Sequence, residues 1–104
     1  MDLSGKQKRF LRAQAVTMKP IVQIGKAGLT NEIKTSIRVA LDARELIKVN
    51  LLQNATIEIF DVADSLEEMG FDVVQQIGRV LVVFKVSDKK ENRKISQDVK
   101  DILK

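Results

Sequence analysis

The 104-residue chain has no cysteine, no histidine, no tryptophan and no tyrosine. Without cysteine there is no disulfide framework and no thiolate nucleophile. Without histidine there is no imidazole acid–base catalyst, and the two absences together exclude Cys/His zinc sites. Zero cysteine also suits a reducing compartment. No apolar run approaches the roughly 20 residues needed to cross a bilayer. The opening residues, MDLSGKQKRF, are polar and charged and hold no signal-peptide core. The expected location is therefore the cytoplasm, with no membrane partner. Pro20 is the only proline, and no linker, internal repeat or low-complexity tract divides the chain. A single domain is expected at this length. Hydrophobic residues at 44% and charged residues at 31% are the balance of a globular protein with a modest core.

What is present is an uneven distribution of charge. The net charge is +4, a mild pointer to a polyanionic partner. Residues 1–26 carry six cations (Lys6, Lys8, Arg9, Arg12, Lys19 and Lys26) against Asp2 alone. Residues 56–72 carry six carboxylates (Glu58, Asp61, Asp64, Glu67, Glu68 and Asp72) and no cation. Such runs can be no more than solvated faces of opposite sign. The tail from Lys89 mixes signs and points nowhere in particular.

Local patterns predict the elements. Ser4 can cap a helix over 3–15, with Leu3, Phe10, Leu11 and Ala15 as its apolar stripe. Pro20 ends that segment by biasing Lys19 away from helical angles. Residues 21–24 read as a short strand broken by Gly25-Lys26-Ala27-Gly28. Leu29, Ile33, Ile37, Ala40 and Leu41 mark a helix over 30–43, capped by Thr30 or Asn31. A strand follows at 45–52. A third helix is expected from 54–56 to Met69, with Ile59, Phe60, Ala63 and Leu66 facing the core and Gly70 as its stop. Residues 72–77 and 80–86 form a hairpin about Gly78-Arg79, the second strand apolar enough to be covered on both faces. A last short helix is expected over 94–103. The order α-β-α-β-α-β-β describes an α/β (α+β) domain with a four-stranded mixed sheet and helices packed on it. Phe10, Phe60 and Phe84 are expected in the core, and Phe71 is left open.

Gly25-Lys26-Ala27-Gly28 lies between a strand and a helix. Two glycines three apart allow positive φ and close ligand approach. The helix that follows offers unpaired N–H groups and a partial positive charge, and Lys26 adds a full charge at the tip. Backbone amides around Gly28, Leu29 and Thr30 would then cradle phosphate oxygens, as the GXXG loop of KH modules does. A plain structural turn would also call for these glycines. The Walker pattern fails, because Pro20 and Ala27 stand where glycine and Ser/Thr are required. The dinucleotide pattern fails as well, with Asn31 in place of its third glycine. The carboxylates of 58–68 fall on one predicted helix at spacings usual for a solvated face, and they could bind Mg²⁺ only if partners from another element converged on them. No enzyme activity, cofactor, metal or small-molecule substrate is expected. With no aromatics exposed on adjacent strands, any RNA contact should run through backbone, shape and charge.

Four segments stand in order: Leu3-Ser4-Gly5-Lys6-Gln7-Lys8, the run from Lys19-Pro20-Ile21 through Gly28-Leu29-Thr30, Glu45-Leu46-Ile47-Lys48-Val49, and Gln76-Ile77-Gly78-Arg79-Val80-Leu81-Val82. Together they resemble the CRM domain (chloroplast RNA splicing and ribosome maturation) in its short bacterial YhbY-like form. The resemblance implies a fold similar to the C-terminal domain of bacterial translation initiation factor three with an added N-terminal helix. It implies a single RNA-binding domain over residues 1–97 and a variable end at 98–104. It further implies a ribosome-associated protein that contacts ribosomal RNA in precursors of the large subunit, and a monomer is expected. On this reading the RNA-binding residues are Gly25, Lys26, Ala27, Gly28, Leu29 and Thr30, with Lys6, Lys8, Arg9, Arg12 and Lys19. Lys48 and Arg79 are weaker candidates. The competing expectation is a protein-interaction adaptor that uses the acidic helix at 56–69.

Overall fold

Residues 1–103 are described by the computed structural model; Lys104, the last residue of the expected variable end, lies outside them. The elements are α1 (Gly5–Ala15), β1 (Val22–Ile24), α2 (Asn31–Arg44), β2 (Leu46–Leu51), α3 (Ile59–Glu68), β3 (Asp72–Ile77), β4 (Val80–Phe84) and α4 (Ile95–Asp101), with a single 3₁₀ turn at Lys90–Asn92. The sheet order is β1-β2-β4-β3. β1 and β2 pair in parallel, and β4 runs antiparallel to both of its neighbours. The C-terminal ends of β1, β2 and β3 therefore lie at one end of the sheet. The protein is an α+β domain with helices on both sheet faces.

Alternation along the strands divides the core in two. Ile47, Val49, Leu51, Leu81 and Val83 face α2 and α3, where they meet Ile37, Leu41, Val62 and Leu66. Leu46, Val74, Val82 and Phe84 face α1 and α4, where they meet Leu11, Ala15 and Val99. β4 feeds both layers, as its unbroken apolar run predicts.

Most stops and starts follow the local signals. Ser4 and Gln7 close a full capping box on α1. The Thr30 hydroxyl accepts the Ile33 amide at 3.2 Å and caps α2. Gly70, at φ 89, ends α3 in a Schellman arrangement: the Phe71 amide donates to the Leu66 carbonyl and the Gly70 amide to that of Glu67. Gly78 supplies the positive φ of the hairpin.

Three expectations are corrected. α3 starts at Ile59, not at 54–56, because the Ala55 amide donates a hydrogen bond to the Leu52 carbonyl and closes a turn there instead. Phe60 is not a core residue and stands 67% exposed. Val62 and Leu66 set the buried stripe of α3, and at about 100° per residue Phe60 points to the far side of the helix. Phe71 fills the core in its place. β4 ends at Phe84, two residues short of the expected strand.

Two buried polar residues join distant parts of the chain. Glu45 leaves α2 in the left-handed region, at φ 66, and is fully buried. Its carboxylate accepts the amides of Ser87 at 2.8 Å and Ser96 at 2.9 Å. Burial by itself would raise its pKa, but the hydrogen bonds from Ser96, Ser87 and Lys94 outweigh it and hold the carboxyl below its usual range. Gln7 accepts the Ser4 amide and donates to the Val99 carbonyl at 3.0 Å, so α1 is fastened to α4. α4 runs through position 98, where the sequence resemblance starts the variable end, and Val99 is buried.

Candidate nucleic-acid interface

The Gly25–Gly28 loop leaves β1 at the shared C-terminal end of the strands. Lys26 and Ala27 are exposed at its tip. The turn is closed by the Gly28 amide donating to the Gly25 carbonyl at 3.0 Å, and the Thr30 amide donates to the Gly28 carbonyl at 3.1 Å. Two of the amides expected to face phosphate are thus spent inside the loop, because the turn needs them to close. The Thr30 hydroxyl is committed to its cap, and the half-buried Leu29 side chain packs on the core. Among the described residues, the amides of Lys26, Ala27, Leu29, Asn31 and Glu32 have no protein acceptor. Donor capacity therefore shifts to the exposed tip and to the first turn of α2.

The two glycines are not equivalent. Gly28 sits at φ 76, and a Cβ there would meet nothing within 4 Å. Its glycine answers to the backbone, and open space lies beside it. Gly25 has no positive φ, and a Cβ there would make ordinary contact with Leu52 Cδ1 at 3.6 Å.

Lys6, Lys8, Arg9 and Lys19 are exposed, and Arg12 is half-buried. None of them, nor Lys26, has a carboxylate partner among the described residues. Helical phase sets Lys6 and Arg9 across α1 from Gln7, Leu11 and Ala15, its buried side, with Lys8 and Arg12 on the flank next to Ala15. α1 runs along β3 from the Asp72 end, where Lys8 lies near that carboxylate, towards Ile77. Its last two turns, with Lys48, Gln75 and Ile77, line an open cleft of about 410 Å³. Sequence reasoning gave no sign of this cleft.

The weaker candidates have structural duties. The Arg79 Nε donates to the Leu51 carbonyl at 3.0 Å and Nη2 to that of Leu52 at 2.6 Å, pinning the loop against which Gly25 rests. Lys48 Nζ donates to the Met18 carbonyl at 2.9 Å. Arg38 lies over the Phe71 ring at 5.9 Å. The carboxylates of α3 are on the opposite sheet face from α1, and among the described residues no three acidic groups gather as a metal site.

The sequence model of the CRS1 / YhbY (CRM) domain matches residues 3–85. The chain belongs to the CRM domain family. The loop and α1 both fall inside the matched span. A Bacillus subtilis relative named "Probable RNA-binding protein YqeI" is 47% identical over 94 residues, covering 89% of this chain and 96% of the relative. A Methanocaldococcus jannaschii protein named "Probable RNA-binding protein MJ0652" is 34% identical over 110 residues, covering 96% and 81%. The CRM chain also superposes on the solution structure of SAV1595 from Staphylococcus aureus, with a TM-score of 0.72, 38% identity and coverage of 89% and 98%.

Proposed function

We propose that this CRM protein is a non-enzymatic RNA binder that contacts the RNA backbone through the tip of the Gly25–Gly28 loop and the cationic arc of α1. One observation carries the reading. Cations without carboxylate partners line α1 and the loop tip, and the tip amides have no internal acceptor. The names of the bacterial and archaeal relatives support it. The finer assignment is ribosomal RNA in a precursor of the large subunit, bound by a monomer in the cytoplasm. The ribosomal target rests on the family resemblance, and the compartment on the sequence composition.

If about 4–6 phosphates are neutralised, log K against log salt falls with a slope of roughly −3 to −4 for single-stranded RNA. A flat salt response refutes the backbone-contact reading. Crosslinking in cells, with sequencing of the attached RNA, tests the target. Reads should concentrate on large-subunit precursor, and reads scattered over messenger RNA would overturn that assignment.

A second reading has one observation in its favour. Phe60 stands exposed on the acidic helix α3, as a docking surface for a basic protein would present it. Reversing Asp61 and Asp64 to lysine discriminates the two. The change abolishes ribosome association if α3 is the contact, and leaves or raises RNA affinity if the loop and α1 are.

A further inference from the structure

We infer that the cleft between α1 and the sheet receives one unpaired RNA base; the inference rests on the RNA-binding reading and adds to it a contact to the base itself. α1 covers only part of its sheet face. Beyond its last turn the face continues in two cross-strand rows, Lys48–Val82–Gln75 and Asn50–Val80–Ile77. A bulge between Val73 and Gln75 buries Val74 and leaves Gln75 on the cleft wall. The result is an open cleft of about 410 Å³, within the size range of small-ligand sites.

The lining chemistry selects the occupant. Val16 and Ile77 form apolar walls and are 74% and 51% exposed, an arrangement that costs free energy in water unless something covers them. Arg9, Arg12 and Lys48 stand around these walls, and no carboxylate lines the cleft. Three cations with no anion exclude a basic peptide and favour an anionic ligand with a flat apolar body. A nucleotide is such a ligand: its base stacks on aliphatic and guanidinium surfaces while its phosphate meets the cations. The side-chain amide of Gln75 has no partner among the described residues, so it offers both a donor and an acceptor to a base edge. Lys48 Nζ is held by the Met18 carbonyl, which fixes one cation in place. No aromatic takes part, so the contact favours an unstacked base with little choice among the four. A duplex, whose bases are stacked and paired, cannot supply one without opening.

The experiment compares two fluorescently labelled strands of about 12 nucleotides, a length within the span of one small RNA-binding domain. One is oligouridylate, and the other is an abasic ribose–phosphate strand of equal charge. Because the walls are aliphatic and not aromatic, the intact protein should bind the uridine strand about 5-fold more tightly, the lower end of the range for one base stacked on an aromatic ring. Both strands should show the same salt slope. Val16→Ser with Ile77→Ser should erase that preference and leave abasic-strand affinity unchanged. Both positions are more than half exposed, so the fold should survive, and a melting curve checks this. Gln75→Ala should reduce the preference without touching the apolar walls. Equal binding of the two strands with a steep salt slope overturns the base slot and leaves the backbone-contact reading standing. A double variant that keeps the full preference overturns it as well. Binding of neither strand overturns both.

Discussion

Two lysines give a controlled test of where the RNA lies. Lys26→Ala and Lys85→Ala each lower the net charge from +4 to +3, so any effect of bulk charge is common to both. Their surroundings are opposite. Lys26 sits at the exposed loop tip with no carboxylate partner among the described residues. Lys85 is 19% exposed, with Nζ 3.2 Å from Asp42 Oδ1 and 3.0 Å from Asp88 Oδ1, and it also donates to the Val86 carbonyl. Burial would lower its pKa, but the hydrogen bonds and charges of Asp88 and Asp42 raise it above the usual 10.5. The stability this contributes is fully present at neutral pH and is lost only as pH rises through the raised value.

The magnitudes follow from those contacts. Losing Lys26 should change stability by no more than about 0.5 kcal/mol. It should remove one phosphate contact, or roughly 0.7 from the slope of log K against log salt for single-stranded RNA. Carried to about 0.15 M salt, that is close to a fourfold loss of affinity. Losing Lys85 should cost about 1–3 kcal/mol, between the values for exposed and buried pairs, and lower Tm by roughly 5–15 °C. It should leave the salt slope untouched. Fluorescence anisotropy between roughly 50 and 200 mM salt and thermal melts read the two quantities separately. Equal slope changes in both variants would mean that bulk charge, not the loop tip, sets RNA affinity, and the proposed interface would be wrong.

Other positions carry their own expected outcomes. Glu45→Gln replaces a carboxylate that accepts two buried amides with a group that can accept at only one oxygen, and should cost about 2–3 kcal/mol in denaturant titration. The depressed pKa of Glu45 means its contribution is present above the usual carboxylate range and lost as pH falls through the folded value. Asp42, lowered chiefly by its bond from the Asp88 amide, acts in the same direction. Asp72, raised chiefly by burial, acts in the opposite one. Melting curves from neutral pH into acid should therefore fall less steeply for Glu45→Gln than for the parent protein. Gly28→Ala should destabilise by about 1–2 kcal/mol through its positive φ alone, whereas Gly28→Asn should fold nearly as well. If Gly28→Asn still binds RNA at full strength, the open space beside that residue is not a ligand site. Phe60→Ser should leave Tm within a degree or two, since a mostly exposed side chain loses little on truncation; a large fall would contradict the helix phase assigned to α3.

The elements were legible where their causes are local. Ser4, Thr30, Gly70 and Gly78 each act within three or four residues, and each stands where its pattern predicts. The unread features depend on partners far along the chain. Glu45 looks like the first residue of a strand until Ser87 and Ser96, 42 and 51 residues away, are brought to its carboxylate. Gln7 looks like a surface helix residue until Val99, 92 positions on, meets it. Phe60 departs from its expected place for a different reason. An apolar residue beside Ile59 fits a helical stripe until Val62 and Leu66 fix the phase. The cleft needed three facts that no local pattern contains: where α1 stops, the bulge in β3, and the insertion of β4 between β2 and β3.

The same division runs through the candidate loop. Its two glycines look alike in sequence and invite one explanation. Gly28 is held to glycine by its own backbone angle, while Gly25 has neither a positive φ nor a crowded Cβ. Folding therefore has no claim on Gly25, and Gly25→Ala should be neutral or stabilising by up to about 1 kcal/mol. Any loss of RNA affinity in that variant then belongs to binding alone. Unchanged affinity would confine the chemical part of the motif to Lys26 and the tip amides, with the glycines reduced to turn geometry and spacing.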